Sequence, residues 1–123
     1  MLNLRRLKKS FVYAIGGVWR VFRDEQNFRI QVIVGFLVLC TMFVFDLSWL
    51  ERAILTLAMA LVLVLELMNS IFERMVDLLK PRVHEHVKEV KDVMAGTVLI
   101  AALSATLVGT FIIGPYLFNK LFG

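Results

Sequence analysis

The 123-residue sequence has few of the residues that cross-link a chain or interrupt a helix. It contains one cysteine, Cys40, and two prolines. A single cysteine excludes a disulfide within the chain, and its position inside an apolar run predicts a small core or lipid-facing residue. Of the two prolines, Pro81 is expected to end a helix after Leu79, because proline disfavours helical backbone in the residue before it.

Charged residues are also scarce over long stretches of the chain. They make up 20% of the sequence, whereas hydrophobic residues make up 59%. The runs 30–45, 53–65 and 93–119 contain no charged residue at all. This content is too apolar for an ordinary soluble domain and predicts a single all-α domain embedded in a membrane. No signal peptide is expected, because residues 2–29 carry seven basic residues and no continuous apolar core.

Several familiar sequence signatures are missing. No Walker A loop, dinucleotide-binding glycine motif, or serine or cysteine triad can be found. The triplet His84-Glu85-His86 resembles a metal site, but on a helix its two histidines would point about 200° apart and could not bind one metal ion. We therefore interpret the triplet as solvent-exposed polar residues of a loop. The net charge is +4. The basic residues flank the apolar segments and do not form a basic face on a soluble domain, which argues against a nucleic-acid partner.

The pattern of apolar and basic residues predicts the order of the segments. An amphipathic surface helix is expected at 2–24, because its apolar and basic residues fall on opposite faces. Transmembrane helices are expected at about 28–49, 53–73 and 93–119, with an interfacial loop at 74–92. Twelve of the 14 Lys and Arg residues lie in the N-terminal arm or in this loop. That bias places the N-terminus and the loop in the cytoplasm.

A column of polar residues breaks the apolar pattern of the second predicted span. Glu66, Asn69, Glu73 and Asp77 share an arc of about 80° on one helix face, from inside the membrane to its boundary. A carboxylate inside a membrane costs roughly 2.5–3.5 kcal/mol on insertion scales, so it usually has a function.

This column and three further polar residues, Glu25, Lys91 and Asp92, have the chemistry that phosphoryl transfer requires. Carboxylates can hold Mg²⁺, a lysine can contact phosphates, and a carboxylate can accept a hydroxyl proton. The residues alone leave a second interpretation equally open, a non-catalytic small membrane protein whose carboxylates only pair helices.

Four sequence blocks carry a family signature. They are Phe11-x-Tyr13-Ala14-x-x-Gly17, Glu25-x-Asn27-Phe28-Arg29, Glu66-x-x-Asn69-Ser70-x-x-Glu73-x-x-x-Asp77, and Lys91-Asp92 followed by Ala95-Gly96-Thr97. Together they resemble the bacterial diacylglycerol kinase family, the small three-span lipid kinases that include undecaprenol kinases. Essentially the whole chain is covered. The resemblance implies a multi-pass protein of the bacterial inner membrane that forms a homotrimer with shared active sites.

The same resemblance implies a role for each matching residue. Glu66 would be the general base on the lipid hydroxyl, supported by Asn69, while Glu25 and Glu73 would hold Mg²⁺ on the phosphates of ATP. The nucleotide would also contact a second set of residues, namely Tyr13, Asp77, His84, Lys91 and Asp92. Arg6 and Ala95 would join Glu66 in contacting the lipid.

The acceptor implied by the resemblance is a membrane lipid with a free hydroxyl. The Glu25-x-Asn27-x-Arg29 block and the Gly114-Pro115-Tyr116 tail are closer to the undecaprenol-kinase branch. Gln31 departs from that branch, which often has a histidine at this position. An undecaprenol-type alcohol is therefore expected in preference to diacylglycerol.

Overall fold

Four helices make up the computed structural model, which describes residues 1–79 and 86–123. They are α1 (Leu4–Asp24), α2 (Gln26–Val44), α3 (Trp49–Leu79) and α4 (His86–Phe122). Helices α2, α3 and α4 are each long and apolar enough to cross a membrane. No strand occurs in the described ranges. The predicted all-α membrane architecture is confirmed.

Helix α1 is joined to the other helices mainly through its C-terminal end. Its first turn is capped by Asn3, whose Oδ1 accepts a hydrogen bond from the Arg6 backbone N–H at 3.2 Å. Val21 is the one buried residue in the helix. At the far end, Arg29 Nη1 donates to the carbonyl oxygens of Phe22 and Arg23 at 3.0 and 2.6 Å. Arg29 therefore pairs carbonyls that the end of α1 leaves without helical partners.

The turn between α2 and α3 occupies residues 45–48, because α2 ends at Val44 and α3 begins at Trp49. Both bounds come about four residues earlier than those of the predicted spans at 28–49 and 53–73. Ser48 and Glu51 explain this early start. Ser48 Oγ accepts from the Glu51 N–H at 3.1 Å, and Glu51 Oε1 accepts from the Ser48 N–H at 3.0 Å. This reciprocal pairing is a capping box, which satisfies two N–H groups at a helix start.

Helices α3 and α4 both extend beyond the predicted spans. The interfacial loop expected at 74–92 is helical at 74–79, within α3, and again at 86–92, within α4. Pro115 lies inside α4, which continues past it to Phe122.

A small apolar core holds the helices together at the end opposite Glu25. Met42, Leu47 and Leu55 form its buried centre, against which partly buried residues of α2, α3 and α4 pack. Beside it, the Tyr116 hydroxyl donates to Glu51 Oε1 at 2.8 Å. This bond ties the end of α4 to the start of α3.

Most other large apolar side chains face outward. Leu57, Ile100 and Phe111 are 71%, 68% and 72% exposed, although all three lie inside spanning helices. Exposed apolar surface on this scale would be unfavourable in water and is favourable against lipid or a partner subunit. The outward faces of the helices therefore agree with a membrane protein.

Candidate active site

The inner part of the polar column on α3 is buried against the other helices. Glu66 is 4% exposed, Asn69 is 9% exposed and Ser70 is fully buried. Glu73 is half-buried and Asp77 is exposed. The column therefore runs from a buried carboxylate at Glu66 to an exposed one at Asp77, as expected for a helix leaving the membrane.

The Glu66 carboxylate contacts α2 through a single amide. Gln31 Nε2 donates a hydrogen bond to Glu66 Oε2 at 3.1 Å. The Gln31 nitrogen must be the atom that faces the carboxylate, because two oxygens would repel each other. The bond joins the first turns of α2 to the middle of α3 and holds the buried carboxylate between the two helices.

Glu25 approaches the same face of α3 from the junction between α1 and α2. The Ser70 hydroxyl donates a hydrogen bond to Glu25 Oε1. One turn further along α3, Arg74 Nη2 lies 3.6 Å from Asp24 Oδ2 and 4.0 Å from Glu25 Oε1. Residues from two separate parts of the chain therefore form one charged cluster.

Asp24 is the exposed edge of this cluster. Arg23 Nε donates to Asp24 Oδ1 at 2.9 Å. This hydrogen bond, helped by the charge of Arg74, keeps the pKa of Asp24 below its ordinary value. Asp24 is therefore ionised at neutral pH and available to Arg74.

Three carboxylates of the cluster lie on one side of α3. Glu66 and Glu73 share a face of that helix, and Ser70 of the same face binds Glu25. Three like charges in a partly buried region repel unless a cation or a donor lies among them. Their oxygens are the ligand type that Mg²⁺ prefers. The donor set therefore fits a hard divalent cation at Glu25 and Glu73.

The described residues do not form a complete metal cage. No group of three or more His, Cys, Asp or Glu side chains in residues 1–79 and 86–123 is arranged to hold a metal by itself. Mg²⁺ is commonly bound by one or two carboxylates, with phosphate oxygens and waters completing its coordination. Two carboxylates are consistent with that kind of site.

Two buried oxygens next to this cluster have no hydrogen-bond partner. They are Asn69 Oδ1 and Gln31 Oε1. A buried acceptor without a donor is costly and uncommon, so each such atom calls for an explanation. A ligand that donates hydrogen bonds beside Glu66 would satisfy either oxygen.

An apolar groove of about 610 Å³ begins beside this buried layer. It lies between α2, α3 and α4, and Gln31 is one of its lining residues. The rest of the lining is mainly apolar and includes Val34, Met59, Ala105 and Leu117. Gln31 therefore lines the groove and also holds the Glu66 carboxylate.

Two predicted site residues on α1 lie away from the cluster within one chain. Tyr13 and Arg6 are exposed, and Tyr13 precedes Glu25 by about 18 Å of helix axis. A single chain therefore does not bring either residue to Glu66, and their predicted roles stay predictions.

The predicted residues on α4 lie near the start of that helix. Lys91 is half-buried, whereas Asp92 and Ala95 are exposed. Around them, Val87 and Val90 of α4 line a small pocket together with Val76 and Leu79 of α3. The start of α4 therefore lies beside the end of α3 that carries Glu73 and Asp77. His84, predicted to contact the nucleotide, lies outside the described residues.

The structure adds residues that the sequence analysis did not assign to the site. Gln31 and Arg74 contact its carboxylates directly, and Ser70 donates to Glu25. Gln31 carried a detectable signal, because it is an amide near the start of an otherwise apolar helix. Arg74 follows Glu73 directly, but only the packing of α3 against the α1–α2 junction shows that it meets Glu25.

Comparison with known proteins identifies similar sequences over nearly the whole chain. A family model described as prokaryotic diacylglycerol kinase matches residues 12–113. The chain is 36% identical over 115 residues to an undecaprenol kinase of Bacillus subtilis, covering 94% of each protein. It is 39% identical over 113 residues to a diacylglycerol kinase of Synechocystis sp., covering 91% of this chain and 65% of that relative. It is also 30% identical over 99 residues to a diacylglycerol kinase of Pseudomonas aeruginosa, covering 80% of each.

Proposed function

The chain belongs to the prokaryotic diacylglycerol kinase family, a family of lipid kinases, and we propose that it transfers the γ-phosphoryl group of Mg-ATP to the hydroxyl of a membrane lipid. The observation that carries this proposal is the placement of Glu25 against the face of α3 that holds Glu66 and Glu73. Phosphoryl transfer to an alcohol needs carboxylates in two roles, near the phosphates and near the hydroxyl. Those roles correspond to the outer and inner parts of this cluster.

Glu66 is the proposed general base. Its carboxylate accepts the hydroxyl proton as the lipid oxygen forms a bond to the γ-phosphorus, and the bond from that phosphorus to the β–γ bridging oxygen breaks to release ADP. Seven residues separate Glu66 from Glu73, which is about 10 Å along a helix. Glu66 therefore lies deeper, where a membrane-embedded hydroxyl can reach it. Asn69, one turn away on the same face, supports the placement of that hydroxyl.

Glu25 and Glu73 are the proposed Mg²⁺ ligands. Bound there, Mg²⁺ would neutralise charge on the ATP phosphates. Ser70 donates to Glu25 and so limits the motion of that carboxylate. Tyr13, Asp77, His84, Lys91 and Asp92 are proposed to contact the nucleotide.

The proposed acceptor is an undecaprenol-type alcohol in preference to diacylglycerol. The groove between α2, α3 and α4 is lined mainly by apolar side chains and reaches Gln31, so it suits a long hydrocarbon chain whose hydroxyl ends at Glu66. The similarity to an undecaprenol kinase over 94% of each protein supports the same choice. Arg6 and Ala95 are proposed to contact the lipid outside the groove.

The proposed setting is the bacterial inner membrane, with the N-terminus and the 74–92 region in the cytoplasm, where ATP is available. The proposed assembly is a homotrimer in which neighbouring chains share each site. Tyr13 supports sharing, because it is exposed and lies about 18 Å of helix axis before Glu25 of its own chain. Co-assembling inactive Tyr13→Phe chains with inactive Glu66→Gln chains tests this. Sharing predicts partial recovery of turnover, and no recovery would contradict it.

ATP-dependent labelling of purified lipids tests the proposed function. Purified protein is mixed with radiolabelled ATP, Mg²⁺ and detergent micelles containing undecaprenol or diacylglycerol, and labelled lipid is extracted. The proposal predicts labelling of undecaprenol at a higher kcat/KM than diacylglycerol, and none from Glu66→Gln. Labelling of neither lipid by correctly assembled wild-type protein would contradict the lipid-kinase assignment. Preference for diacylglycerol would contradict the acceptor alone.

The non-catalytic alternative is not favoured. It requires the intramembrane carboxylates to serve only as partners between helices. The relatives described above are named as kinases, and the family is one of enzymes.

A further inference from the structure

Gln31 makes a contact that helix stability alone does not explain. It lies on α2 and donates to Glu66 Oε2 at 3.1 Å, across to α3. Its own Oε1 is buried and has no hydrogen-bond partner. An amide here leaves one acceptor unsatisfied, whereas an apolar side chain of similar size would leave the buried Glu66 oxygen without its donor. The benefit of the amide therefore lies in what it does to Glu66.

The electrostatic surroundings of Glu66 show what that effect is. Glu73 lies on the same face of α3 as Glu66, and Glu25 is bound to that face by Ser70. A glutamate side chain can rotate away from such like charges. The Gln31 N–H counters this by binding one oxygen, Oε2, which leaves the second oxygen for another donor. The amide is uncharged and does not ionise near neutral pH, so it holds the carboxylate without protonating it.

We propose that Gln31 is the positioning residue for Glu66, fixing one carboxylate oxygen so that the other points to the acceptor hydroxyl. This inference rests on the proposed function, because it assigns a task within that reaction. A proton acceptor contributes fully only when it is held within hydrogen-bond reach of the hydroxyl. An error in its placement of about 1 Å can lower the rate on the order of 100-fold.

The groove gives Gln31 its place in the path of the acceptor. Gln31 lines the groove and also binds Glu66, so a chain lying in the groove brings its hydroxyl group to the Gln31–Glu66 pair. The unpaired Gln31 Oε1 faces the same buried layer and would accept a hydrogen bond from a donor there. No other groove-lining residue donates to Glu66 within the described part of the chain.

Steady-state kinetics on Gln31 variants test the proposal. Gln31→Met keeps a similar length and removes the donor, whereas Gln31→His keeps an N–H donor. At saturating lipid, Gln31→Met is expected to lower kcat by about 10- to 100-fold with the KM for ATP unchanged, and Gln31→His to recover most of the loss. Thr56→Val is the matched control. It removes a hydroxyl from an exposed position of α3 that bonds only to Arg52 O of its own helix, and it is expected to keep full turnover.

Stability measured on the same variants separates positioning from a structural role. Thermal unfolding in detergent is expected to show Gln31→Met folded with only a small loss of thermal stability, because removal of the unpaired oxygen offsets part of the cost of leaving Glu66 without its donor. Full turnover by Gln31→Met, or a loss of kcat matched by a loss of folded protein, would overturn the inference. If Gln31→Met does not fold, Gln31→Leu replaces it. Lowered turnover by folded Gln31→Leu supports the inference, and full turnover overturns it. A wild-type protein that phosphorylates no lipid would overturn the proposed function, and the inference with it.

Discussion

The Ser70 hydroxyl donates a hydrogen bond to Glu25 Oε1, joining the fully buried face of α3 to the junction between α1 and α2. This bond brings together residues 45 positions apart. It places the carboxylate of Glu25 on the same helix face as Glu66 and Glu73. The candidate site therefore depends on how α1 and α2 pack on α3, as well as on the residues of α3.

Ser70→Ala is expected to weaken the Mg²⁺ site without removing a ligand. Glu25 would lose the donor that limits its motion, so the Mg²⁺ concentration for half-maximal turnover should rise by about 3- to 10-fold, the size of effect expected from losing one typical hydrogen bond. Titrating turnover with Mg²⁺ at saturating ATP measures this. Ser104→Ala, at an exposed position of α4, is the matched control, and an equal change in both variants would contradict the role of Ser70.

Glu73→Gln is expected to lower turnover by at least about 10-fold and to raise the Mg²⁺ requirement, because an amide is a weaker ligand for a hard cation than a carboxylate. The protein should remain folded and inserted in the membrane. Glu89→Gln removes a charge at an exposed position on α4 and serves as the control. Unchanged Mg²⁺ dependence in Glu73→Gln would remove Glu73 from the metal site.

Glu66→Gln is expected to abolish most turnover while retaining ATP binding. Glutamine is nearly isosteric but cannot accept the hydroxyl proton, so a loss of about 100-fold or more is expected. Loss of a buried charge should leave the fold intact or more stable. Turnover and ATP binding are measured on the same correctly assembled sample. Near-normal turnover would show that Glu66 only pairs helices.

Tyr116→Phe is expected to lower the thermal stability of the protein and to leave the kinetics unchanged. The substitution removes the 2.8 Å hydrogen bond to Glu51 Oε1 but keeps the ring beside Phe45. This contact lies at the end of the bundle opposite Glu25. Thermal unfolding in detergent and kcat report the two properties separately. A large loss of kcat at full stability would show that the far end of the bundle affects the chemistry.

The orientation in the membrane is tested with fused reporters. Because 12 of the 14 basic residues lie in the N-terminal arm and the 74–92 region, a reporter fused after Asp46 should be extracytoplasmic. One inserted in the 80–88 region should be cytoplasmic. The reverse pattern would separate the carboxylates from cytoplasmic ATP and contradict the proposed kinase orientation.

The existence of the helices could be predicted because the signals are local. Long uncharged runs predict helices that cross a membrane, since only internal hydrogen bonding satisfies the backbone in lipid. The start of α3 at Trp49 was missed, although its signal is also local. The capping box Ser48-x-x-Glu51 is visible in the sequence, but the uncharged run from which the span was predicted begins only at Ala53, after Arg52.

The sequence by itself determined that Glu66, Asn69, Glu73 and Asp77 share one face of α3. This follows from the 3.6-residue period of a helix and needs no other part of the chain. The apolar surroundings of Glu66 in the sequence likewise indicated its burial. The family resemblance added chemical roles for these residues, which helical geometry does not provide.

Only the tertiary structure decided which residues meet that face. The contacts Gln31–Glu66 and Ser70–Glu25 depend on the rotation of each helix about its axis and on its depth relative to α3. The same is true of the approach of Arg74 to Glu25. The helical period fixes the angle between two side chains of the same helix. It does not fix how one helix is rotated relative to another, because that rotation is set by side-chain packing along the whole interface.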